Sequence, residues 1–392
     1  MNPGFPRETS GRGSLFMVMR VLQAVKGVCC RLNHGRSRIP MNQGPSEFAR
    51  EQSSGDLTPF IEPLLAGRTL DTGQSRDAFR AIMSGNATEA EMGAFLALLA
   101  TRVPTGDELT GAATVMREHV DGLSSSVDPS TIVDTAGTGG APKTFNVSTA
   151  SAIVAAGAGA RVAKHGNRSR TGRGSAEVLQ EIGVNVDAGR DVQARCLEQV
   201  GVCFCFAIHH HPAARHAMPV RKALGVPTVF NLLGPLTNPA GAGRQVMGVY
   251  ADRFVLPVAE ALNQLGTIDS IVMHSEDGYD EFSINAPVHV ARISNGSIEE
   301  YTLDPASLGI EPVDPADLCA SDLQDAARIV RSVLDGSDRG PARDMTLLST
   351  AAALVVSGIS DDFESGISAS ADSIDSGRAM STLQALIEVS GS

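Results

Sequence analysis

Three short loops hold the residues whose types and spacing suit chemistry. The first is Gly137-Thr138-Gly139-Gly140, ahead of a helix-like stretch opening at Asn146-Val147-Ser148-Thr149. Glycines lack a Cβ, so backbone N–H groups can turn inward and meet an anion closely. A helix N-terminus behind them adds unpaired donors and partial positive charge. The Ser148 and Thr149 hydroxyls suit helix capping, a phosphate or a metal. Pro142 before Lys143 excludes a Walker loop, and it also occupies the third-glycine position of a dinucleotide fingerprint. A packing turn is the plain alternative.

The second loop is Lys164-His165-Gly166-Asn167-Arg168, after the apolar Val162-Ala163, with Arg170, Thr171, Arg173 and Ser175 extending its donors. Cations and an amide at the carboxyl end of a strand suit an anionic ligand, or form a solvated basic turn. The third is Asp280-Glu281, preceded by Asp277-Gly278. Adjacent carboxylates can hold Mg2+, which takes one or two carboxylates plus water and phosphate oxygens; an exposed acidic turn is the commoner reading. The run His209-His210-His211 with His216 invites a metal, yet three consecutive side chains cannot converge from a regular element. It reads as structure or pocket lining.

Positioning these loops takes more than one domain. The chain has 392 residues, which predicts two domains or three. From Leu57 to about Val120 the pattern is helical. Thr88 with Glu91 makes a capping box ahead of Met92, Phe95, Leu96, Leu99 and Val103, Pro104 stops that helix, and Thr105 with Glu108 opens the next. After Ser124–Ser126, apolar runs at Thr131–Val133, Val202–Ile208, Gln245–Tyr250 and Ser270–His274 alternate with helical stretches. These include Ser148–Ala158, Ser175–Ile182, Val192–Val200, Leu256–Leu265 and Ala326–Leu334. That alternation predicts an α/β domain with a mainly parallel sheet, and Asn295-Gly296 marks a hairpin near one edge. His209–Pro239, rich in Pro and His with one short helical pattern, reads as an excursion from the sheet.

Composition narrows the function. A net charge of −12 argues against a nucleic-acid binder with a broadly basic surface, though not against a local basic pocket. No apolar run is long enough to span a membrane. The six cysteines (Cys29, Cys30, Cys196, Cys203, Cys205 and Cys319) include no C-x-x-C pair, and read as reduced thiols of an intracellular protein. Residues 1–40 hold seven Arg or Lys against Glu8 alone, a local charge of +6. This start is read as a poorly ordered extension, or one preceding a true start at Met41, ahead of an organelle transit peptide; it has no secretory signature. A cytoplasmic location follows from that preference.

The ordered set G-T-G-G, T-F-N-V-S-T-A, K-H-G-N-R, V-R-K-A-L-G, F-N-L-L-G-P-L-T-N-P and D-E resembles the anthranilate phosphoribosyltransferase family. The resemblance runs from about Leu57 to the C-terminus and includes Ile374-Asp375-Ser376-Gly377. It implies transfer of a phosphoribosyl group from phosphoribosyl pyrophosphate to anthranilate, in tryptophan biosynthesis. It also implies a small all-helical domain and a larger mainly parallel α/β domain, with the active site at their hinge, and a homodimer using magnesium. Residues 1–56 would be the extension. Residues 57–123, completed by part of 209–239, would form the helical domain, and 130–208 with 240–392 the phosphoribosyl-binding domain.

By the same resemblance, Gly137, Gly140, Ala141 and Thr144, then Asn146, Val147, Ser148 and Thr149, cradle phosphoribosyl pyrophosphate. Lys164, His165, Gly166, Asn167, Thr171 and Ser175 continue that site. Gly137, Asn167 and Arg221 face anthranilate, with Arg221 on its carboxylate, and Ser148, Asp280 and Glu281 hold magnesium. No residue is assigned a proton-transfer role, so positioning and electrostatics carry the catalysis. Two departures stand out: Ala141 replaces the family's Asp in a loop one residue shorter, and Ser169–Arg173 is shorter and more basic than its usual serine-paired counterpart. Arg170 and Arg173 are expected either to bind the polyanion directly or to be solvated. The alternatives are a pyrimidine nucleoside phosphorylase-like enzyme, which would carry a serine at Gly166, and a non-enzymatic nucleic-acid-binding relative.

Overall fold

The computed structural model describes residues 55–169 and 172–392. The expected extension up to residue 54, with Cys29 and Cys30, and the site residues Arg170 and Thr171 lie outside the described residues. Helices Thr58–Leu65, Thr72–Met83, Glu89–Ala100 and Gly106–Glu118 follow one another at the start. Three of them open on reciprocal capping boxes, Asp71 with Gln74, Thr88 with Glu91 and Thr105 with Glu108. Each box satisfies N–H groups that the first turn leaves without partners. Their apolar faces bury Phe79, Ile82, Met92, Phe95, Leu96 and Leu99, and the Phe79 and Phe95 rings meet edge to face at 6.0 Å. The helix ends at Ala100, earlier than its apolar spacing suggests. The Thr101 N–H and hydroxyl both turn back to the Leu98 carbonyl, so Val103 and Pro104 lie past its end.

Seven strands form one sheet in the order β3-β2-β1-β4-β5-β6-β7. They are β1 (Ile132–Gly137), β2 (Arg161–Gly166), β3 (Val202–Phe206), β4 (Arg244–Gly248), β5 (Asp269–Ser275), β6 (Val288–Ser294) and β7 (Ser297–Leu303). Pairing is parallel from β3 to β5 and antiparallel across β5-β6-β7. The β6–β7 turn is Asn295-Gly296 with φ 51° and 76°, both positive as a tight two-residue hairpin requires. The β1 strand runs to Gly137, past the apolar Val133, because buried Asp134 accepts the His165 N–H of β2 and the buried Thr135 hydroxyl donates to the Ser148 carbonyl of the covering helix. Its neighbours β2 and β4 place a reversal of strand order at β1, where ligands bind beyond the carboxyl ends.

Between β3 and β4 the chain leaves the sheet through three short helices, Ala207–His210, Met218–Leu224 and Phe230–Leu233, where the sequence shows one. This excursion meets the first helices: the Phe230 ring lies 5.6 Å from Phe79, and Arg117 Nε donates to the Leu236 carbonyl at 2.8 Å. One core runs from Phe79 and Phe95 through Phe230 and helix Val255–Gln264 to Met247, Val272 and Ile293 on one sheet face. The other face is covered by helices that include Val147–Gly157 and Pro341–Ser357. Helix Arg190–Arg195 continues as a π-helical turn over Cys196–Val200. Among the described residues, no helix is long and apolar enough to cross a membrane.

Candidate active site

The glycine loop is anchored through Thr138. The Thr138 N–H donates to the Gly248 carbonyl, and the Tyr250 N–H donates to Thr138 Oγ1, each at 3.0 Å. Gly139 and Gly140 have φ of 62° and 103°, values that side chains oppose. Helix Val147–Gly157 then starts from Asn146, itself left-handed at φ 71°. Ser148 is half-buried, and its Oγ accepts from Lys164 Nζ at 3.1 Å. Val147 and Thr149 are core side chains with no exposure. The Thr149 N–H is taken by the Asn146 carbonyl, and its Oγ1 is buried without a partner. For an anion, this segment therefore offers the Ser148 hydroxyl and the N–H groups at the very start of the helix, Val147 and Ser148, ahead of the engaged Thr149 N–H.

Lys164 is 3% exposed, and its Nζ also donates to the Thr135 carbonyl at 2.6 Å. Burial lowers its pKa to about 8, against the opposing charges of Asp134 and Glu281. Asp134, which the sequence reading passed over, is wholly buried beneath the loops, and burial raises its pKa to about 6. It accepts the His165 N–H at 3.0 Å and Gln245 Nε2 at 3.3 Å, tying β1 to β2 and β4 beside Lys164. The His165 ring faces the excursion, with its Nε2 3.1 Å from His211 Nε2. Burial, then the neighbouring histidines, holds its pKa well below the ordinary value.

Asn167 is exposed, and its carbonyl accepts from Ser175 Oγ at 3.4 Å. A Cβ on Gly166 would lie 2.3 Å from Ser175 Oγ and 2.6 Å from the Phe204 ring. The Arg173 guanidinium donates to the Ala320 carbonyl.

Asp280 and Glu281 are not a solvated turn. Both are half-buried. Asp280 Oδ2 accepts the Gly139 N–H at 3.0 Å, and Glu281 Oε2 accepts the Thr144 hydroxyl at 2.5 Å. The Ser275 hydroxyl donates to the Glu281 carbonyl at 2.7 Å and fixes the backbone between them. A small cavity of about 30 Å³ beside the pair is lined by Ser148, Gly248, Ser349 and Thr135 among others. Burial raises Asp280 to about 6. Burial and then the Asp280 charge raise Glu281 to about 7.

Arg221 stands apart from these loops in its contacts. It lies in the excursion, with its guanidinium 5.0 Å from the Phe230 ring centre and Nη1 3.6 Å from the Met218 sulfur. The histidine run disperses: His209 meets Asp187, His210 bridges the Asp121 carbonyl and Gln193, and His211 meets His165.

Residues 129–380 match the glycosyl transferase family a/b domain, and residues 58–120 match that family's helical bundle domain. An anthranilate phosphoribosyltransferase of Methylobacillus flagellatus is 48% identical over 315 residues, covering 79% of this chain and 91% of its own. The chain belongs to the anthranilate phosphoribosyltransferase family. The solved enzyme of that name from Thermus thermophilus superposes with a TM-score of 0.79 at 34% identity, covering 85% of this chain and 99% of its own. The Saccharomyces cerevisiae enzyme, in complex with PRPP and Mg, superposes with a TM-score of 0.75 at 26% identity, covering 86% and 98%.

In this anthranilate phosphoribosyltransferase family member, the donor set suits magnesium. Its oxygens are hard, two carboxylates stand side by side with raised pKa values, and the Ser148 hydroxyl is nearby around the cavity. Among the described residues no group of three or more His, Cys, Asp or Glu is placed to hold a metal, so phosphate and water oxygens would complete the shell. The crowding at Gly166 separates this member from the phosphorylase alternative, since a serine there would strike Ser175 and Phe204.

The raised carboxylate values give a pH prediction. Protonation stabilises the cation-free fold, and that stabilisation is lost as pH rises through about 6 for Asp280 and about 7 for Glu281. A cation selecting the ionised pair acts in the opposite sense. Excess magnesium should therefore raise the melting temperature at pH 8 and leave it nearly unchanged at pH 5.5. An equal rise at both values would remove the pair as the binding site.

Proposed function

We propose that this chain transfers the phosphoribosyl group from phosphoribosyl pyrophosphate to the amine of anthranilate, giving N-(5-phosphoribosyl)anthranilate and pyrophosphate in tryptophan biosynthesis. The observation that carries the reading is the convergence of Gly139, Thr144, Asp280 and Glu281 beyond the carboxyl ends of β1 and β4. It sets a metal-suited acid pair against a loop rich in N–H donors. The names of the relatives and the bound PRPP and Mg of the yeast enzyme support the same reading.

In this mechanism Asp280, Glu281 and Ser148 hold magnesium, which supplies neutralising charge to the departing pyrophosphate. Gly137, Gly140 and the start of helix Val147–Gly157 direct N–H groups at the same anion. Lys164 adds a buried charge, held in place by the Thr135 carbonyl. Such groups stabilise the leaving anion without proton transfer, as positive charge grows on the ribose. Anthranilate's amine is neutral at pH 7, so orientation matters more than a base. Asn167 and Arg221 orient it, with the Arg221 fork on its carboxylate. The deciding experiment is a fluorescence assay of anthranilate consumption, which should require both phosphoribosyl pyrophosphate and magnesium. Consumption without either would overturn the reading.

Arg221→Ala should weaken anthranilate use by about 2–3 kcal/mol while leaving phosphoribosyl pyrophosphate binding intact. Steady-state constants for the two substrates check this, and an unchanged anthranilate KM with normal turnover would remove Arg221 from the acceptor site. The proposal includes a helical lobe of residues 57–123 with part of 209–239, and a phosphoribosyl lobe of 130–208 with 240–392. It also includes a homodimer, tested by sedimentation, and a cytoplasmic setting, tested by fractionation.

A further inference from the structure

Arg173 lies in the basic loop after β2, and its contacts tie three segments together. Its guanidinium donates to the Ala320 carbonyl, and its own N–H donates to Ser169 Oγ at 3.0 Å. Its carbonyl accepts from Lys143 Nζ at 3.2 Å and Asn146 Nδ2 at 3.3 Å. The Ala320 N–H returns to the Thr144 carbonyl at 3.2 Å, and the Thr144 hydroxyl reaches Glu281. The circuit therefore links Ser169 and Arg173 to the Thr144–Asn146 turn and to one member of the acid pair.

That turn needs external support. Asn146 is left-handed at φ 71°, a conformation asparagine adopts more readily than most side chains but still at some cost. Its amide is fastened to the Arg173 carbonyl, and the Arg173 guanidinium is fastened in turn to Ala320. Lys143, half-buried and within the field of Asp280 and Glu281, rests on the same carbonyl. We infer that Arg173 is a positioning residue: it sets Lys143, Thr144 and Asn146 for the phosphoribosyl pyrophosphate site instead of placing its guanidinium on the polyanion. The inference rests on the reaction proposed above. The side-chain strap to Ala320 thereby holds the cradle in place.

The test compares Arg173→Gln and Arg173→Lys with the wild type in steady-state kinetics, thermal melts and calorimetric titration of phosphoribosyl pyrophosphate at several salt concentrations. Arg173→Gln should raise the KM for phosphoribosyl pyrophosphate about tenfold, the scale of one charge-assisted hydrogen bond. The anthranilate KM and the melting temperature should stay near wild type. The salt dependence of the affinity should also be unchanged, because no charge leaves the polyanion contact. Arg173→Lys, which keeps a charged donor for Ala320, should recover most of the loss. A weaker salt dependence in Arg173→Gln would place the guanidinium on phosphate and overturn the inference. So would a parallel rise of both KM values with a lower melting temperature, an unchanged KM, or no recovery with lysine. A wild-type protein that makes no product from the two substrates would instead refute the reaction itself.

Discussion

Replacing Asp280 and Glu281 together by alanine is expected to lower magnesium-dependent turnover by about a hundredfold or more, the scale of losing charge stabilisation at a leaving anion. The fold should survive. Both carboxylates have pKa values raised by burial, so their ionised forms oppose folding at neutral pH. Losing the hydrogen bonds to Gly139 and Thr144 works the other way, at about 1 kcal/mol each. The two effects nearly offset, and the melting temperature should move by only a few degrees. The check is turnover across a magnesium titration beside a thermal melt. Wild-type activity at limiting magnesium would reduce the pair to a structural turn.

Gly248→Ala should be the most damaging single substitution near the site. A Cβ there would lie 1.8 Å from the Asp280 carbonyl oxygen and 2.6 Å from its carbon. Both atoms are backbone, so no rotamer relieves the clash. Either β4 or the acid-bearing loop must shift, at a cost of about 3 kcal/mol or more. Because the Gly248 carbonyl also receives the Thr138 N–H, the displacement would reach the glycine loop. The expected results are a melting temperature lower by several degrees and a higher magnesium requirement. A variant matching the wild type in both would show that the close approach is dispensable.

What the sequence disclosed follows the range of the interactions. The Thr88–Glu91 and Thr105–Glu108 boxes and the Asn295-Gly296 turn are local, so their residue types announce them. The polar end of β1 was hidden, because Asp134 looks like a loop residue until Gln245 and the His165 N–H come to meet it. The three loops were visible as motifs, but their mutual geometry was not. Asp280-Glu281 reads as a solvated acidic turn in isolation, and only the fold shows Gly139 and Thr144 binding it. Nothing near Arg173 in sequence points to Ala320, 147 residues away. That basic loop accordingly reads as anion-binding when its described arginine is tied to a carbonyl.

The contact between Phe230 and Phe79 has a consequence for synthesis on the ribosome. The first four helices finish at Glu118, yet their core includes Phe230, Leu232 and Leu233 from the far side of three sheet strands. Such long-range closure is slow and leaves apolar surface uncovered until the later segment arrives. A nascent chain halted soon after residue 123 would emerge with complete helices and an incomplete core. Chaperone engagement should therefore persist while β1 to β5 and helix Val255–Gln264 are being translated, and should fall once the stretch beyond Ile293 has cleared the exit tunnel.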